Sequence, residues 1–378
     1  MKIGLVCPYN IAKGGGVQEI VKAMQTELVR RGHDVAIITP QPRESYVDDG
    51  RRVIFLGSAA DFKTPLNTTA QFSASMLTDE IDTMLEHEKF DVLHFHEPWV
   101  PVLSRQILSR SNTMNVATFH AKLPETMVSR TMAKVITPYT KPLLRHIDAF
   151  TAVSEAAAEY LLTLANVPVE IIPNGIDLKH FKKPAANNVP TKGPKTVLYM
   201  GRLEGRKGVK YLLRAFAELQ AREPDVRLIL AGDGVDREKL ELQAQELGLR
   251  NVEFLGYVDE ATKKQLLHTA DLFCAPAIYG ESFGIVLLEA MASGLVTIAG
   301  DNPGYTSVMQ GLGKLSLVNP KDTSQFAHRL QLLLFDEDLR VLWKKWAKEY
   351  VRQFDYPKIV DRYEAVYKTV VGKAKRGA

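Results

Sequence analysis

The sequence predicts an α/β protein made of two doubly wound parallel sheets in separate domains. Short apolar runs rich in β-branched residues alternate with amphipathic helical segments along the whole chain, the pattern of parallel strands covered on both faces. One stretch, KKPAANNVPTKGPK, breaks this alternation with Pro, Asn, Gly and Lys, and the alternation restarts after it. The 378 residues, 46% hydrophobic and 24% charged, exceed one ordinary core and suit two.

Taken in order, KIGLVCPY is the first strand. VQEIVKAMQTELVRRGH then places Val17, Ile20, Val21, Met24 and Leu28 at helical spacing. DVAIITP, RRVIFLG, FDVLHFHE, NVATFHA, AFTAVSE and VEIIPNG continue the strands of a first domain, residues 1–182. Residues 183–195 read as a linker. TVLYMGRL, VRLILAGDG, NVEFLGYV, LFCAPA, VTIAG and LSLVNP are the strands of a second domain, 196–350. From 338 to 371 the pattern is helical, with Trp343, Trp346 and Tyr350 at helical offsets. Pro357 breaks it, leaving a terminal helix within 351–378.

A net charge of +4 does not argue for nucleic acid, although it permits a local basic patch. Cys7 and Cys274, far apart in apolar runs, read as buried thiols. MKIGLVCPYN is too short for a secretory apolar region, and no apolar stretch approaches the ~20 residues of a spanning helix. The expected location is cytoplasmic, soluble or peripheral at a membrane.

Open parallel sheets bind ligands beyond the carboxyl ends of their strands, and two domains on one linker predict a cleft. Attention therefore falls on the turns after strands. In KGGGVQ (13–18), Gly14, Gly15 and Gly16 let the backbone approach a ligand at a helix N-terminus, which suits a phosphate. The pattern is not G-x-G-x-x-G, which disfavours a dinucleotide redox site. In GRLEGRKG (201–208), Arg202, Arg206 and Lys207 precede an amphipathic helix, an arrangement that suits a diphosphate. In GESFGIVLLEAMASG (280–294), Glu281 falls before a helix and Glu289 inside it. Glu281 is free to face a ligand, and the amides of Phe283 and Gly284 suit a phosphate. Glu289, among apolar neighbours, needs a polar partner such as a ribose diol. His94 and His96 of HFHE share a strand face and are the nearest metal-like cluster, but a strand-end role for His96 is preferred. No set at ligand spacing and no D-x-D turn is found, so no metal and no bound cofactor is expected.

ESFGIVLLE, GRLEGRKG, IIPNGID (171–177) and the N-terminal GGV turn, in this order, resemble glycosyltransferase family 4 over essentially the whole chain. The resemblance implies a retaining transferase of GT-B architecture: two Rossmann-like domains facing a central cleft, with the C-terminal helix crossing back to the first. It implies that Glu281 bonds hydroxyls of the donor sugar and Glu289 the ribose, while Arg202 and Lys207 neutralise the diphosphate. Gly15, Gly16, Ser282, Phe283, Gly284 and Ile285 would complete the donor site. His120 would face the reacting centre, and Tyr9 and Gln18 would line the acceptor side. It favours GDP-mannose as donor, with a UDP-sugar as the alternative, and a phosphatidylinositol-like or other membrane lipid as acceptor.

The family branch with lipid acceptors carries a basic amphipathic patch in its first domain. The matching segment here is acidic, with Asp79, Glu80, Asp82, Glu86 and Glu88. A substitute is expected at 122–145, where Lys122, Arg130, Lys134, Lys141 and Arg145 mix with apolar residues. Three other readings stay open: a soluble family 4 transferase using a UDP-sugar and a non-lipid acceptor, a nucleotide-sugar isomerase, and a catalytically silent nucleotide-sugar-binding partner protein.

Overall fold

In a computed structural model the chain divides into two compact units, residues 1–175 with 356–378, and residues 176–355. The structure describes residues 1–42, 46–63, 69–74, 78–100, 102–122, 137–183 and 193–377.

The first unit holds one eight-stranded sheet of β1 (Lys2–Val6), β2 (Asp34–Gln41), β3 (Val53–Lys63), β4 (Thr69–Ala74), β5 (Val92–His96), β6 (Met114–Phe119), β7 (Ala149–Ala152) and β8 (Val169–Ile171). Their order is β4-β3-β2-β1-β5-β6-β7-β8. The pairs are parallel except β3 with β4, which run antiparallel. The sequence reading anticipated only parallel strands. β4 escaped it because TAQFSA lacks the continuous β-branched run of a strand buried on both faces. All five residues of β5 are buried, so its two histidines stand among core side chains.

The second unit holds six parallel strands, β9 (Lys195–Met200), β10 (Val226–Ala231), β11 (Val252–Gly256), β12 (Leu272–Ala275), β13 (Val296–Gly300) and β14 (Leu317–Val318), in the order β11-β10-β9-β12-β13-β14. In each sheet the order reverses beside the first strand, at β1/β5 and at β9/β12. In open parallel sheets, loops leaving neighbouring strands part at such a point, the usual place for a ligand.

The contact division falls at 175/176 and 355/356, whereas composition placed the boundaries at 182/183 and 350/351. Residues just before the polar stretch pack on the second unit: the helix Leu178–Phe181 gives its Phe181 carbonyl to the His268 ring at 3.0 Å. At the far end, a 3-10 turn (Val351–Phe354) closes the helix Glu337–Tyr350, and a new helix, Tyr356–Gly377, begins. Pro357 sits in its first turn, where a missing N–H breaks no helical bond. This helix belongs to the first unit. Arg31 Nη1 pairs with Asp361 and Glu364, both at 2.6 Å, and Tyr363 and Tyr367 are buried.

Candidate functional site

In the second unit the turn after β9 forms a 3-10 segment, Gly205–Lys207, closed by Gly208 at φ +73°. A Cβ at Gly208 would run into the Pro276 carbonyl, so only glycine fits. This seats Arg206 and Lys207 against the turn after β12. Arg206 Nη1 donates to Glu281 Oε1 at 2.7 Å and to the Gly280 carbonyl at 3.2 Å. Lys207 Nζ lies 2.8 Å from the same Glu281 oxygen. Glu204 bridges the two arginines of the turn, taking Arg206 Nε at 3.1 Å and Arg202 Nη1 at 2.7 Å. Arg206, Lys207 and Glu281 are at most 17% exposed, while Arg202 is half exposed. Burial holds Lys207 below its ordinary range, although Glu281 pulls the other way. Burial also opposes the Arg206 charge, but Glu281 and Glu204 outweigh it and raise its pKa.

Glu281, Ser282 and Phe283 precede Gly284, whose φ of +108° opens the helix Ile285–Ala292. No side chain caps that N-terminus. A Cβ at Gly284 would approach the Tyr305 ring to 2.6 Å. The helix is apolar around most of its circumference, which buries Leu287, Leu288, Ala290 and Met291. Glu289 finds a cation in Lys263, at 2.9 Å, and Lys263 also pairs with Glu260 at 3.3 Å. Burial raises the Glu289 pKa, with Lys263 opposing it. Sequence reasoning missed Lys263, Glu204 and the direct contact of Arg206 with Glu281. Only Glu204 carried a local signal, since it lies inside GRLEGRKG.

In the first unit Gly15 precedes the helix Gly16–Arg30 in extended conformation, and a Cβ on it would strike the Gln18 carboxamide. Gln18 is buried, with Nε2 3.5 Å from the Asn10 carbonyl. Tyr9 is half-buried after β1 and accepts a bond from Thr39 Oγ1 at 2.8 Å through its carbonyl.

His120 stands at the end of β6, 8% exposed. Its Nε2 is 3.0 Å from His96 Nδ1, and the rings meet edge to edge through these nitrogens, their planes 26° apart and their centroids 5.2 Å apart. Burial lowers both imidazoles, His120 to about 3. Two neutral rings joined this way share one proton in the bond. His96 Nε2, His120 Nδ1 and the nearby Asn174 Oδ1 are buried and meet no partner at hydrogen-bond geometry, although Asn174 is close enough to favour the His120 proton. His94 is different. Tyr367 Oη at 2.7 Å and Thr118 Oγ1 at 2.6 Å engage both its nitrogens, which leaves none to chelate with His96. Among the described residues no three His, Cys, Asp or Glu side chains are arranged to hold a metal ion.

For the basic patch, Arg130 and Lys134 lie outside the described residues. Lys141 and Arg145 are exposed on the 3-10 turn Lys141–His146. Lys122 is not available to a surface: its side chain is 7% exposed and its ammonium pairs with Glu159 at 3.2 Å. Of the acidic residues on the helix Thr78–Glu88, Asp79, Glu80, Asp82 and Glu86 are exposed, while Glu88 is buried against Lys2 at 2.8 Å and Arg52 at 2.6 Å. No helix among the described residues is long and apolar enough to cross a membrane.

Residues 14–180 match the family described as Glycosyltransferase Family 4, and residues 181–350 the one described as Glycosyl transferases group 1. The phosphatidyl-myo-inositol mannosyltransferase of Mycolicibacterium smegmatis is 35% identical over 376 residues, covering 98% of this chain and 95% of that protein. Among solved structures, sucrose-phosphate synthase from Thermosynechococcus elongatus superposes with a TM-score of 0.78 at 22% identity, covering 98% of this chain and 99% of that one. Anabaena HepE in complex with UDP-glucose gives 0.75 at 20% identity, covering 98% and 100%. The structural likenesses bear out the GT-B fold class, and the full-length sequence match goes further: the chain belongs to glycosyltransferase family 4.

Proposed function

We propose that the chain is a retaining hexosyltransferase that moves mannose from GDP-mannose to a phosphatidylinositol-like lipid, working as a peripheral protein at the inner face of the plasma membrane. The observation that carries the donor side is the convergence of Arg206 and Lys207 on one oxygen of Glu281. Two cations in a largely buried turn beside an uncapped helix form a diphosphate grip, and Arg202 adds a third. In this reading 196–350 is the nucleotide-sugar domain, where Glu281 bonds the sugar hydroxyls and Glu289 the ribose, with Ser282, Phe283, Gly284 and Ile285 around the phosphates. In the acceptor domain, 1–182, Gly15 and Gly16 leave room for a phosphate, His120 faces the reacting centre, and Tyr9 and Gln18 line the acceptor.

The acceptor oxygen attacks the anomeric carbon on the face from which the diphosphate leaves. The carbon–phosphate-oxygen bond breaks as the new carbon–oxygen bond forms, and the hydroxyl proton passes to the leaving phosphate. Cations and amide dipoles stabilise the charge growing on that phosphate. The choice of mannose and of the lipid follows from the mannosyltransferase to which the chain is similar.

The exposed acidic face of Thr78–Glu88 favours a second reading, a soluble family 4 transferase with a UDP-sugar and a non-lipid acceptor. The test is incubation of the chain with GDP-mannose and phosphatidylinositol vesicles, followed by mass and NMR analysis of the lipid. Mannosyl lipid with the donor's anomeric configuration is expected, and an inverted product rejects the retaining mechanism. Product only from a UDP-sugar and a soluble acceptor selects the second reading. Donor turnover without acceptor marks an isomerase, and binding without turnover a silent partner protein.

A further inference from the structure

Glu97 combines two unfavourable features in one place. It follows directly on β5 and holds φ at +53°, the left-handed region that costs a non-glycine residue on the order of 1 kcal/mol. Its carboxylate is buried, the residue being 4% exposed, although a buried carboxylate is costly without compensation. The backbone is held in this conformation from both sides. The Glu97 N–H donates to the Thr118 carbonyl at 2.8 Å, and the Val100 N–H donates to the Glu97 carbonyl at 3.1 Å. The side chain crosses to the end of β6, where Oε2 accepts from the backbone N–H of His120 at 2.9 Å and of Ala121 at 2.8 Å. These two N–H groups lie just past the last residue of β6, Phe119. Glycine or asparagine would satisfy the backbone turn at 97 with less strain, so packing alone does not account for a carboxylate here. Strain and a buried charge kept together at a strand end point to function.

We propose that Glu97 is a positioning residue for sugar transfer: its carboxylate fixes the His120–Ala121 backbone and, through it, the direction in which the His120 ring faces the reacting centre. This rests on the role given to His120 above.

The surroundings make the positioning dependent on pH. Burial raises the Glu97 carboxyl to about 7, with the two N–H bonds pulling the other way. On β5, His94 and His96 stay neutral because burial lowers both. His120, on the β6 side, is lowered to about 3. Tyr9, after β1, keeps its phenolic proton because burial and the Glu97 charge both raise it. Lys122 is paired with Glu159. Of these groups only Glu97 changes charge between pH 5 and 8. An ionised carboxylate accepts both N–H bonds strongly, whereas the neutral acid accepts them weakly. Transfer should therefore rise with pH through about 7.

The test compares wild type, Glu97→Ala, Glu97→Gln and His120→Ala as full chains, with GDP-mannose and phosphatidylinositol vesicles from pH 5.5 to 8.5. Each protein except His120→Ala is also labelled with 15N-histidine, and its His120 backbone amide is followed over the same pH range. We expect Glu97→Ala to lose roughly tenfold or more in kcat, with donor KM within about twofold, the signature of a misplaced group rather than lost binding. Glu97→Gln, which like the neutral acid keeps an uncharged acceptor oxygen, should turn over at every pH near the level of wild type at pH 5.5, above Glu97→Ala and without the acid limb. The His120 amide should titrate near 7 in wild type and stay fixed in Glu97→Gln. An unchanged Glu97→Ala, or an acid limb that persists in Glu97→Gln, overturns this inference alone when His120→Ala is impaired. A fully active His120→Ala removes the underlying role of His120 instead. If neither substrate turns over, an amide that titrates identically in wild type and Glu97→Gln still rejects the inference.

Discussion

The carboxylate of Glu281 stands 2.8 Å from the Lys207 ammonium, the place that the proposed function gives to a phosphate oxygen. With Arg206 on the same oxygen, the carboxylate neutralises the grip while no anion is bound. In the proposed function an arriving diphosphate would displace Glu281 from the two cations, and the displaced side chain would then be free to bond sugar hydroxyls. Removing its charge should therefore separate binding of the leaving group from turnover. Glu281→Gln is expected to bind GDP several-fold more tightly by calorimetry, while kcat/KM for sugar transfer falls roughly tenfold or more, about 1.4 kcal/mol. Weaker GDP binding by this variant would mean that Glu281 assists the diphosphate rather than competing with it.

Lys263 and Glu289 present a related case with a different outcome. Burial raises the Glu289 pKa and Lys263 restrains it. In Lys263→Met that restraint is lost, so the neutral carboxyl is favoured further, and in the proposed function it would accept a ribose diol poorly. Donor KM should rise roughly tenfold with kcat little changed, and the defect should shrink as the pH is raised from 7 to 9. A KM defect of equal size at both pH values would detach Lys263 from the state of Glu289.

What the sequence disclosed and what it withheld follow from the range of the forces involved. Continuous runs such as VLHF and LILA announce buried parallel strands because burial on both faces leaves no polar alternation. GRLEGRKG and ESFGIVLLE announce a turn and a helix start because glycine and charge are local signals. The partner of a charge is not local. Lys263 lies 26 residues from Glu289, and Glu97 lies 23 from His120; only the strand order brings each pair together. Lys122 misled for the same reason, since its basic neighbours in sequence give no hint of Glu159 across the fold.

The buried groups around β5 predict two opposite pH slopes of stability. The imidazoles of His94, His96 and His120 are depressed, so the stability they contribute is present above about 6.5 and is lost as pH falls towards 3. Glu97 is raised from 4.5 to about 7, so its contribution is full below about 4.5 and is lost as pH rises through 7. That loss approaches ~3 kcal/mol at alkaline pH by linkage. Urea unfolding of Glu97→Gln against wild type should therefore give nearly equal stability at pH 4.5 and a clear advantage for the variant at pH 8. Curves that stay parallel across this range would mean that the carboxyl ionises as freely folded as unfolded.

Lys141 and Arg145 are the two members of the basic patch that the fold leaves exposed among the described residues. A basic residue near an anionic bilayer contributes about 1 kcal/mol, and salt screens it. If this turn meets the lipid surface, Lys141→Gln with Arg145→Gln should lower partitioning onto phosphatidylinositol-containing vesicles by about 2 kcal/mol, roughly thirtyfold. Raising the salt to about 0.5 M should lower wild-type binding in the same direction. Transfer to a soluble acceptor should not change, because neither side chain belongs to the site proposed for donor or acceptor. Equal sedimentation of wild type and double variant at low salt would place the membrane contact elsewhere on the chain, and no sedimentation of either would favour the soluble transferase suggested by the acidic face of Thr78–Glu88.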